Sequence, residues 1–323
     1  MATIYEVAAL AGVSPATVSR VLNGRSVSPE KARLVRDAAE KLNFTVNRTA
    51  RDLRRQHSEV IALLVPDIEN PFFTALARGV EDRAQESGYS VVLCNTDEDP
   101  AKETRYLEIA NSANMAGVIL APSREHTDIS GLLQRKKPVV AVDRTTGFDI
   151  DAVMVDNRSI GASATAALID RGFRRIACIA GPLDAGSPEE RSQAWAQTMR
   201  SRGLGDPAKY LVHADFRVDG GRAAMATLLE LDTPPDAVVA TNNLMGVGAL
   251  QALFEAGLTP PAFGVAVCGE LPFSTDAPAS VTQVRIPARH LGTTAATLLL
   301  DRIEGDSQPA RTVVLRGEIL EAG

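Results

Sequence analysis

The sequence predicts an α/β protein in which a small all-α head precedes two doubly wound lobes, each built on a parallel sheet. Three observations support this fold class. The first 55 residues carry repeated signals for short helices. From about residue 60, short apolar runs alternate with helical patterns, as in parallel sheets that are covered on both faces. This alternation restarts near Ser159, so two runs of roughly 100 residues follow the head.

The N-terminal head is predicted to contain three helices joined by short turns. Gly12 ends the first helix, and a helix followed by a Gly-containing turn and a second helix is the layout of a helix-turn-helix. In that motif the second helix enters the major groove of DNA, although small bundles of other kinds share the three-helix pattern. The helix start signals are Thr3 with Glu6, Ser14 with Pro15, and Ser28 with Pro29.

Charge favours the DNA-binding interpretation of the head. Residues 1–57 hold 10 Lys and Arg against 5 Asp and Glu, whereas the remainder holds 24 against 35. The chain as a whole carries a formal net charge of −6. A basic head on an acidic protein is typical of a polyanion-binding module joined to a domain of another kind.

The rest of the composition argues against a membrane-spanning protein, a secreted protein and a metal-binding protein. The 323 residues contain no run of 18 apolar residues, and the N-terminus lacks the charged and apolar regions of a signal peptide. Cys94, Cys178 and Cys268 lie far apart in apolar stretches, which predicts buried thiols in a reducing cytoplasm. The four histidines are dispersed without metal-ligand spacing, and we predict no cofactor.

The two runs of alternating elements define the predicted lobes. Ligands of doubly wound sheets bind beyond the carboxyl ends of the strands, so two facing sheets place a ligand in the cleft between them. Helices are predicted at 72–87, 102–111 and 289–304. The predicted strands are 61–65, 90–94, 117–120 and 138–142 in the first run, and 176–180, 210–213, 237–240 and 265–268 in the second.

Residues 14–23, Ser-Pro-Ala-Thr-Val-Ser-Arg-Val-Leu-Asn, closely resemble the recognition helix of LacI/GalR-type transcriptional regulators. Residues 3–8 and 11–14 also fit that family, and the resemblance continues through most of the chain. It implies a core like that of a periplasmic sugar-binding protein, with three crossovers between the lobes. We expect these crossovers near Asn157, Ile286 and Arg311.

The resemblance implies three segments. Residues 1–46 form the helix-turn-helix domain, 47–58 form a hinge helix, and 59–323 form the effector-binding and dimerisation core. Within the core, 59–157 with 287–310 form the first lobe, and 158–286 with 311–323 form the second, with 313–320 as its last strand. A flexible charged linker is the alternative for 47–58. A hinge helix of this family lies in the minor groove, where Leu53 matches the leucine that wedges between base pairs.

The candidate DNA contacts follow from side-chain chemistry and from the family pattern. The planar fork of Arg20 matches guanine O6 and N7, whereas small apolar side chains reach only groups such as the thymine methyl. Hydroxyl and amide groups suit phosphate oxygens. The predicted DNA-binding residues are Ser14, Pro15, Ala16, Thr17, Ser19, Arg20, Asn23, Asn47, Arg48, Ala50, Arg51 and Leu53.

The candidate effector contacts lie where strands end or where the family places ligand-binding side chains. Arg191 and Trp195 resemble the family motif Arg-x-x-Gly-Phe/Trp, in which the arginine holds effector oxygens; here Ala194 replaces the glycine. The predicted effector-binding residues are Asp67, Phe72, Phe73, Ser123, Asp143, Arg144, Arg191, Trp195, Phe216, Asn242 and Glu270.

Two departures from the family pattern bear on the effector. Asn243 stands where the family has aspartate, and the Phe-Asp that normally follows Gly269 is missing, with Glu270 as a candidate substitute. The loss of two acidic positions predicts a positive cleft and favours sugar acids or sugar phosphates over neutral sugars. The usual Arg-x-Ser tail is also absent.

We therefore predict a cytoplasmic, sequence-specific transcriptional regulator, most simply a repressor. It would bind a pseudo-palindromic DNA operator as a homodimer and respond to a small polar effector. The alternatives are the same regulator controlled by a partner protein or by no ligand, a transport binding protein, and a Rossmann-like enzyme. Gly246-x-Gly248 hints at the enzyme, but it lacks the third glycine and sits in a helical pattern.

Overall fold

The computed structural model describes residues 2–22, 26–42, 44, 58–123, 126–183, 186–271 and 280–320. The chain divides into two compact units, Met1–Ser58 and Glu59–Gly323. None of the helices in the described ranges is long and apolar enough to cross a membrane.

The N-terminal unit contains the three predicted helices, α1 (Ile4–Ala11), α2 (Pro15–Leu22) and α3 (Pro29–Lys41). The predicted capping box is present, because Thr3 and Glu6 bond each other's backbone N–H groups. Gly12 ends α1 in the left-handed conformation, with φ of 65°. The three helices bury one another's apolar side chains; those with no exposed surface are Val7, Val18 and Val35.

The first sheet of the core has the strand order β11-β5-β4-β3-β1-β2, and all of its pairings are parallel. The strand next to one edge, Val60–Val65, pairs on both sides, with Leu63 opposite Leu93 and Ile119. The strands are β1 (Val60–Val65), β2 (Ser90–Asn95), β3 (Gly117–Leu120), β4 (Val139–Val142), β5 (Asp151–Val155) and β11 (Thr312–Leu315). The helices of this lobe are α4 (Pro71–Glu86), α5 (Pro100–Ser112), α6 (Ser130–Gln134) and α11 (Ala288–Ile303).

The second sheet has the order β12-β10-β9-β8-β6-β7, in which β12 alone runs antiparallel to its neighbour. The strands are β6 (Ile176–Ala180), β7 (Leu211–His213), β8 (Ala237–Ala240), β9 (Gly264–Cys268), β10 (Val281–Arg285) and β12 (Glu318–Leu320). The helices are α7 (Asn157–Asp170), α8 (Gly186–Ser201), α9 (Val218–Leu229) and α10 (Asn243–Glu255), with a short 3₁₀ helix at Pro207–Tyr210.

The chain passes between the two sheets after β5, after β10 and after β11. The prediction of a third crossover near Arg311, with 313–320 as one strand of the second lobe, is wrong. Thr312–Leu315 pairs with β5 in the first sheet, and Glu318–Leu320 pairs with β10 in the second. The backbone N–H of Arg311 donates to Asp151 at 2.7 Å, which holds this segment on the first lobe. The chain then crosses at Arg316 and Gly317.

The glycines of Gly246-x-Gly248 have a packing role. A Cβ at Gly246 would lie 2.7 Å from a methyl group of Val267, and one at Gly248 would lie 2.0 Å from the carbonyl oxygen of Val218. These glycines therefore let α10 approach β9 and α9 closely, and the motif no longer supports a dinucleotide site. The three cysteines are buried and free, as predicted.

A buried ion network fixes the return of the chain to the first sheet. The Asp151 side chain is 1% exposed and accepts hydrogen bonds from Nε and Nη2 of Arg302 at 2.7 and 2.9 Å. Burial by itself raises the pKa of Asp151, but the hydrogen bonds from Arg302 and Arg311 outweigh it, so the pKa lies below its ordinary value. This carboxylate therefore stabilises the fold fully above its unfolded pKa of about 4, and its contribution is lost as the pH falls through the lower folded pKa.

Replacing Asp151 by asparagine should lower the free energy of unfolding by about 2 kcal/mol near neutral pH, because hydrogen bonds to a charged acceptor are lost. Denaturant titrations of the variant and the wild type at several pH values measure the free energy of unfolding. The difference between the two proteins should shrink as the pH falls below about 4. Asp170→Asn is the matched control, since the Asp170–Arg202 pair is exposed at 3.4 Å. An equal loss in both variants at every pH would contradict the network's role.

Candidate functional site

One exposed face of α2 carries the predicted base-reading residues. Ala16 and Arg20 are exposed one turn apart, whereas Val18 is buried in the head. The Ser14 Oγ accepts the Thr17 N–H at 3.2 Å, so Ser14 caps α2 as predicted. Pro15 and Ser19 are half-buried on the same helix. Asn23, Asn47, Arg48, Ala50, Arg51 and Leu53 lie outside the described residues, as does nearly all of the predicted hinge.

The second candidate site is a cavity of about 310 Å³ between the two lobes. It lies beyond the carboxyl ends of strands from both sheets, where doubly wound folds bind ligands. Nine of the predicted effector-binding residues line it: Asp67, Phe72, Phe73, Asp143, Arg144, Arg191, Phe216, Asn242 and Glu270. Sequence reasoning did not select several others, chiefly Asn70, Glu98, Asp215, Arg217 and Asn243.

Trp195 and Ser123 do not line the cavity, contrary to the prediction. Trp195, one turn beyond Arg191 on α8, has no exposed surface because it packs in the apolar core. Ser123 is buried, and its backbone N–H donates to Glu103 at 2.7 Å. Its loop is thus held against α5 and turned away from the ligand space.

Arg144 is buried and already paired with a carboxylate. Its Nη1 and Nη2 each donate to one oxygen of Glu98 at 2.8 Å, and Nη1 also donates to the Pro122 carbonyl at 3.1 Å. Burial lowers the pKa of Arg144, but the bonds and charge of Glu98 outweigh this and raise it above its usual value. The guanidinium therefore stays charged while most of its donors are taken up by the protein.

Arg144 also reaches across the cleft. Its Cζ lies 5.7 Å from the ring centroid of Phe216, a cation–π contact between the lobes. Phe216 has a φ of 69°, and its carbonyl accepts a hydrogen bond from Asn242 Nδ2 at 2.9 Å. A Cβ at Gly181 would lie 2.2 Å from the Phe216 ring, so glycine leaves the space that the ring occupies.

Arg191 is the second buried guanidinium of the cavity. Its Nε donates to Asn157 Oδ1 at 2.9 Å and its Nη1 to the Thr241 carbonyl at 2.8 Å. These described bonds leave Nη2 for a ligand. Asp143, which also lines the cavity, interacts with the charge of Arg191. Burial raises the pKa of Asp143, and the two nearby arginines oppose that rise.

Two asparagines join the lobes at the same place. Asn243 Nδ2 donates to Asn70 Oδ1 at 3.1 Å, and that oxygen also accepts the Phe72 N–H at 3.0 Å to cap α4. Asn242 caps α10 by accepting the Met245 N–H. The predicted contact residue Asn242 thus lines the cavity while positioning both α10 and Phe216.

The cleft does not carry the predicted excess of positive charge. Glu270, the candidate substitute for the missing aspartate, pairs with Arg285 at 3.0 Å. Side chains of both signs line the cavity: the carboxylates of Asp67, Glu98, Asp143, Asp215 and Glu270, and the guanidiniums of Arg144, Arg191 and Arg217. Negative groups outnumber positive ones by five to three, and two of the carboxylates, Glu98 and Asp215, were not among the residues predicted from the sequence.

A helix-turn-helix head joined to a two-lobed, ligand-binding core defines a class of protein, the DNA-binding regulators controlled by small molecules. Residues 3–47 match the family of bacterial regulatory proteins of the lacI type, and residues 58–316 match the periplasmic binding proteins and sugar-binding domain of the LacI family. This chain belongs to the LacI family of bacterial transcriptional regulators.

Individual relatives agree with this assignment. The ribose operon repressor of Escherichia coli (strain K12) is 36% identical over 330 residues, covering 100% of this chain and 99% of the relative. The transcriptional regulator PtxS of Pseudomonas aeruginosa is 34% identical, and the match covers 99% of this chain and 95% of the relative. A solved complex of the regulator CelR with cellobiose has a TM-score of 0.75 at 30% identity, with full coverage of both chains. The lac repressor dimer on its operator has a TM-score of 0.86 at 23% identity, covers 99% and 98%, and supports the fold.

Proposed function

We propose that this regulator is a cytoplasmic, homodimeric repressor that binds a pseudo-palindromic operator through α2 and takes a neutral polyhydroxylated effector in the cleft. The observation that carries the effector class is the charge pattern of the cavity. Asp143 and Arg191 face the same space among an excess of carboxylates. A hydroxyl group donates to a carboxylate and accepts from a guanidinium, so a polyol satisfies both groups.

Size and shape agree with a small sugar. A volume of about 310 Å³ lies at the lower end of the range for small-molecule sites. Phe72 and Phe216 supply apolar surface for the C–H faces of a ring. An effector carboxylate would approach Glu98, Asp143 and Asp67, and like charges at this range repel. This reverses the preference for sugar acids that the sequence favoured.

The names of the relatives support the same class of effector. One is a repressor of a ribose operon, and one solved structure holds cellobiose. D-ribose is therefore the first probe for this chain, followed by other neutral pentoses and hexoses. Isothermal titration against these sugars should give one site per protomer. If every neutral sugar fails to bind while a partner protein alters operator binding, the effector proposal is wrong and control by a partner takes its place.

Effector control requires two conformations with different effector affinities. Contacts across the cleft stabilise one of these conformations, and an effector bound there can strengthen or weaken them. They join Asn70 with Asn243, Arg144 with Phe216, and Glu69 with Arg217 at 3.9 Å. Selection of bound DNA from a random pool, with and without the bound sugar, tests both the operator that the protein binds and the effect of the sugar on that binding. We expect two inverted half-sites and a sugar-dependent change in yield; a site without symmetry would contradict the dimer.

Replacing Asn243 by aspartate should weaken binding of the identified sugar by about two- to tenfold, the value of one hydrogen bond. Aspartate cannot donate to Asn70, whereas it remains a favourable residue at the N-terminus of α10. Titration calorimetry measures the affinity, and small-angle scattering measures opening of the lobes. Gln251→Glu, exposed on α10, adds the same charge without the cross-cleft contact. An unchanged affinity in Asn243→Asp would show that this bond does not bias closure.

A further inference from the structure

Glu98 reaches the cavity from a backbone of unusual shape. Asp97 and Glu98 are consecutive non-glycine residues with φ of 55° and 56°. L-residues rarely adopt this left-handed conformation, and it persists where surrounding contacts fix it. Here Asp97 accepts hydrogen bonds from Asn95 at 2.7 Å and from Lys102, while Asn95 accepts the Ile68 N–H at 3.2 Å. The loop after β2 is thus braced against the loop after β1.

The braced loop places the Glu98 carboxylate on Arg144 with bidentate geometry, both oxygens at 2.8 Å. Arg144 is 8% exposed and also bonds the Pro122 carbonyl. This two-point arrangement is the one that guanidinium groups make with carboxylates and phosphates of ligands. Glu98 therefore occupies the face of Arg144 on which an anionic ligand group would dock.

We propose that Glu98 is a specificity-determining residue of the effector cleft, a built-in carboxylate that excludes sugar acids and sugar phosphates by occupying Arg144. The proposal rests on the proposed role of the cleft as the effector site. Arg191 then remains the guanidinium that serves the effector, and it is flanked by Asp143. Among the carboxylates that line the cleft, Glu98 is then the one that occupies a guanidinium on which an anion would dock, and this effect does not depend on the family's missing aspartate near Gly269.

The same residues allow a competing, purely structural role. In that case Glu98 only steadies Arg144 beneath the Phe216 ring, and its loss weakens the binding of every ligand alike. The two roles differ in what they predict for matched ligand pairs. Exclusion predicts that loss of the carboxylate improves binding of the acidic member of a pair, whereas steadying predicts no improvement for either member.

The test titrates wild type and Glu98→Gln with two pairs of probes, D-ribose with D-ribose 5-phosphate and D-glucose with D-glucuronate. We expect Glu98→Gln to bind at least one acidic probe about tenfold or more tightly than the wild type does, the value of a charge-assisted pair. The affinity for the neutral partner should change by less. Glu98→Asn is the second variant, since asparagine tolerates the left-handed backbone and is also neutral.

Two controls separate the freed guanidinium from a general loss of negative charge. In the double variant Glu98→Gln, Arg144→Gln, the gain for the acidic probe should disappear. Glu108→Gln removes a charge from an exposed side chain on α5, outside the cavity lining, and should produce no gain. A gain that survives the double variant, or that appears equally in Glu108→Gln, would overturn the docking argument.

The outcomes for the two proposals are distinct. If the wild type binds a neutral sugar but both Glu98 variants, folded by circular dichroism, gain nothing for either acidic probe, the specificity role is refuted and the proposed function stands. If the wild type binds an acidic probe more tightly than its neutral partner, the specificity role is also refuted. If the wild type binds no neutral sugar, yet a Glu98 variant gains acidic binding, the cleft is a ligand site and the proposed effector class fails.

Discussion

Replacement of Arg191 by alanine should reduce affinity for the identified effector by at least about thirtyfold. Truncating a buried, hydrogen-bonded charged side chain at a binding site costs about 2–5 kcal/mol, and each 1.4 kcal/mol is tenfold in affinity. Arg191 is 6% exposed and loses two roles at once. Its proposed contact with the effector disappears, and Asn157 Oδ1 and the Thr241 carbonyl lose their donor.

The variant should remain a DNA-binding protein that no longer responds to the sugar, because Arg191 belongs to the core unit and α2 to the head. Calorimetry measures the sugar affinity, and a fluorescence-anisotropy assay of operator binding with and without sugar measures the response. Arg217→Ala is the matched control, since Arg217 lines the same cavity but is half exposed and contacts Glu69 at 3.9 Å. Undiminished sugar binding by folded Arg191→Ala would exclude this arginine from the effector site.

Much of the fold was predictable because its signals are local. A capping box needs only Thr3 and Glu6, and the structure contains it. Continuous apolar runs predicted strands such as Gly117–Leu120 and Ile176–Ala180 with the observed bounds. The family identity was equally local, since it was already recognisable in the residues that form α2.

The errors in the predicted fold arise where the local sequence pattern does not determine which strand a segment pairs with. Residues 313–320 have the apolar content of one strand, but Gly317 interrupts them and the two halves pair with different sheets. Two further strands, β5 and β10, were not predicted. Val281–Arg285 holds three polar residues among five and has no continuous apolar run, and only its position between β9 and β12 identifies it as an inner strand.

The sequence predicted most of the charged and aromatic residues that line the effector cavity, but not how their charges are paired. Strand ends and the family motif located nine of the lining residues. The state of each charge depends on partners that are distant in sequence, such as Glu98 with Arg144, which are 46 positions apart. Arg144 and Arg191 look alike in the sequence, yet the structure pairs the first with an internal carboxylate and leaves one nitrogen of the second for a ligand.

Replacement of Arg20 by alanine should weaken binding to the selected operator by about 1–3 kcal/mol, which is roughly 5- to 150-fold. Arg20 is exposed on α2 and lies one turn from Ala16, which is also exposed, so its fork can reach a base edge in the major groove. Pro15 and Ala16 offer no hydrogen-bond donors from their side chains. We therefore expect the discrimination of the helix to depend heavily on this one guanidinium.

The measurement is anisotropy with the operator and with random duplex DNA, each at several salt concentrations. A base contact predicts a large loss on the operator, a much smaller loss on random DNA, and relaxed selection at one base pair of each half-site. Arg36→Ala, exposed on α3, removes the same charge from the head without removing a group from α2. Phosphate contacts act on every DNA sequence alike. If Arg20→Ala loses equal affinity for both DNAs, and the slope of log binding constant against log salt concentration falls in magnitude by about one, Arg20 contacts a phosphate of the DNA backbone and not a base.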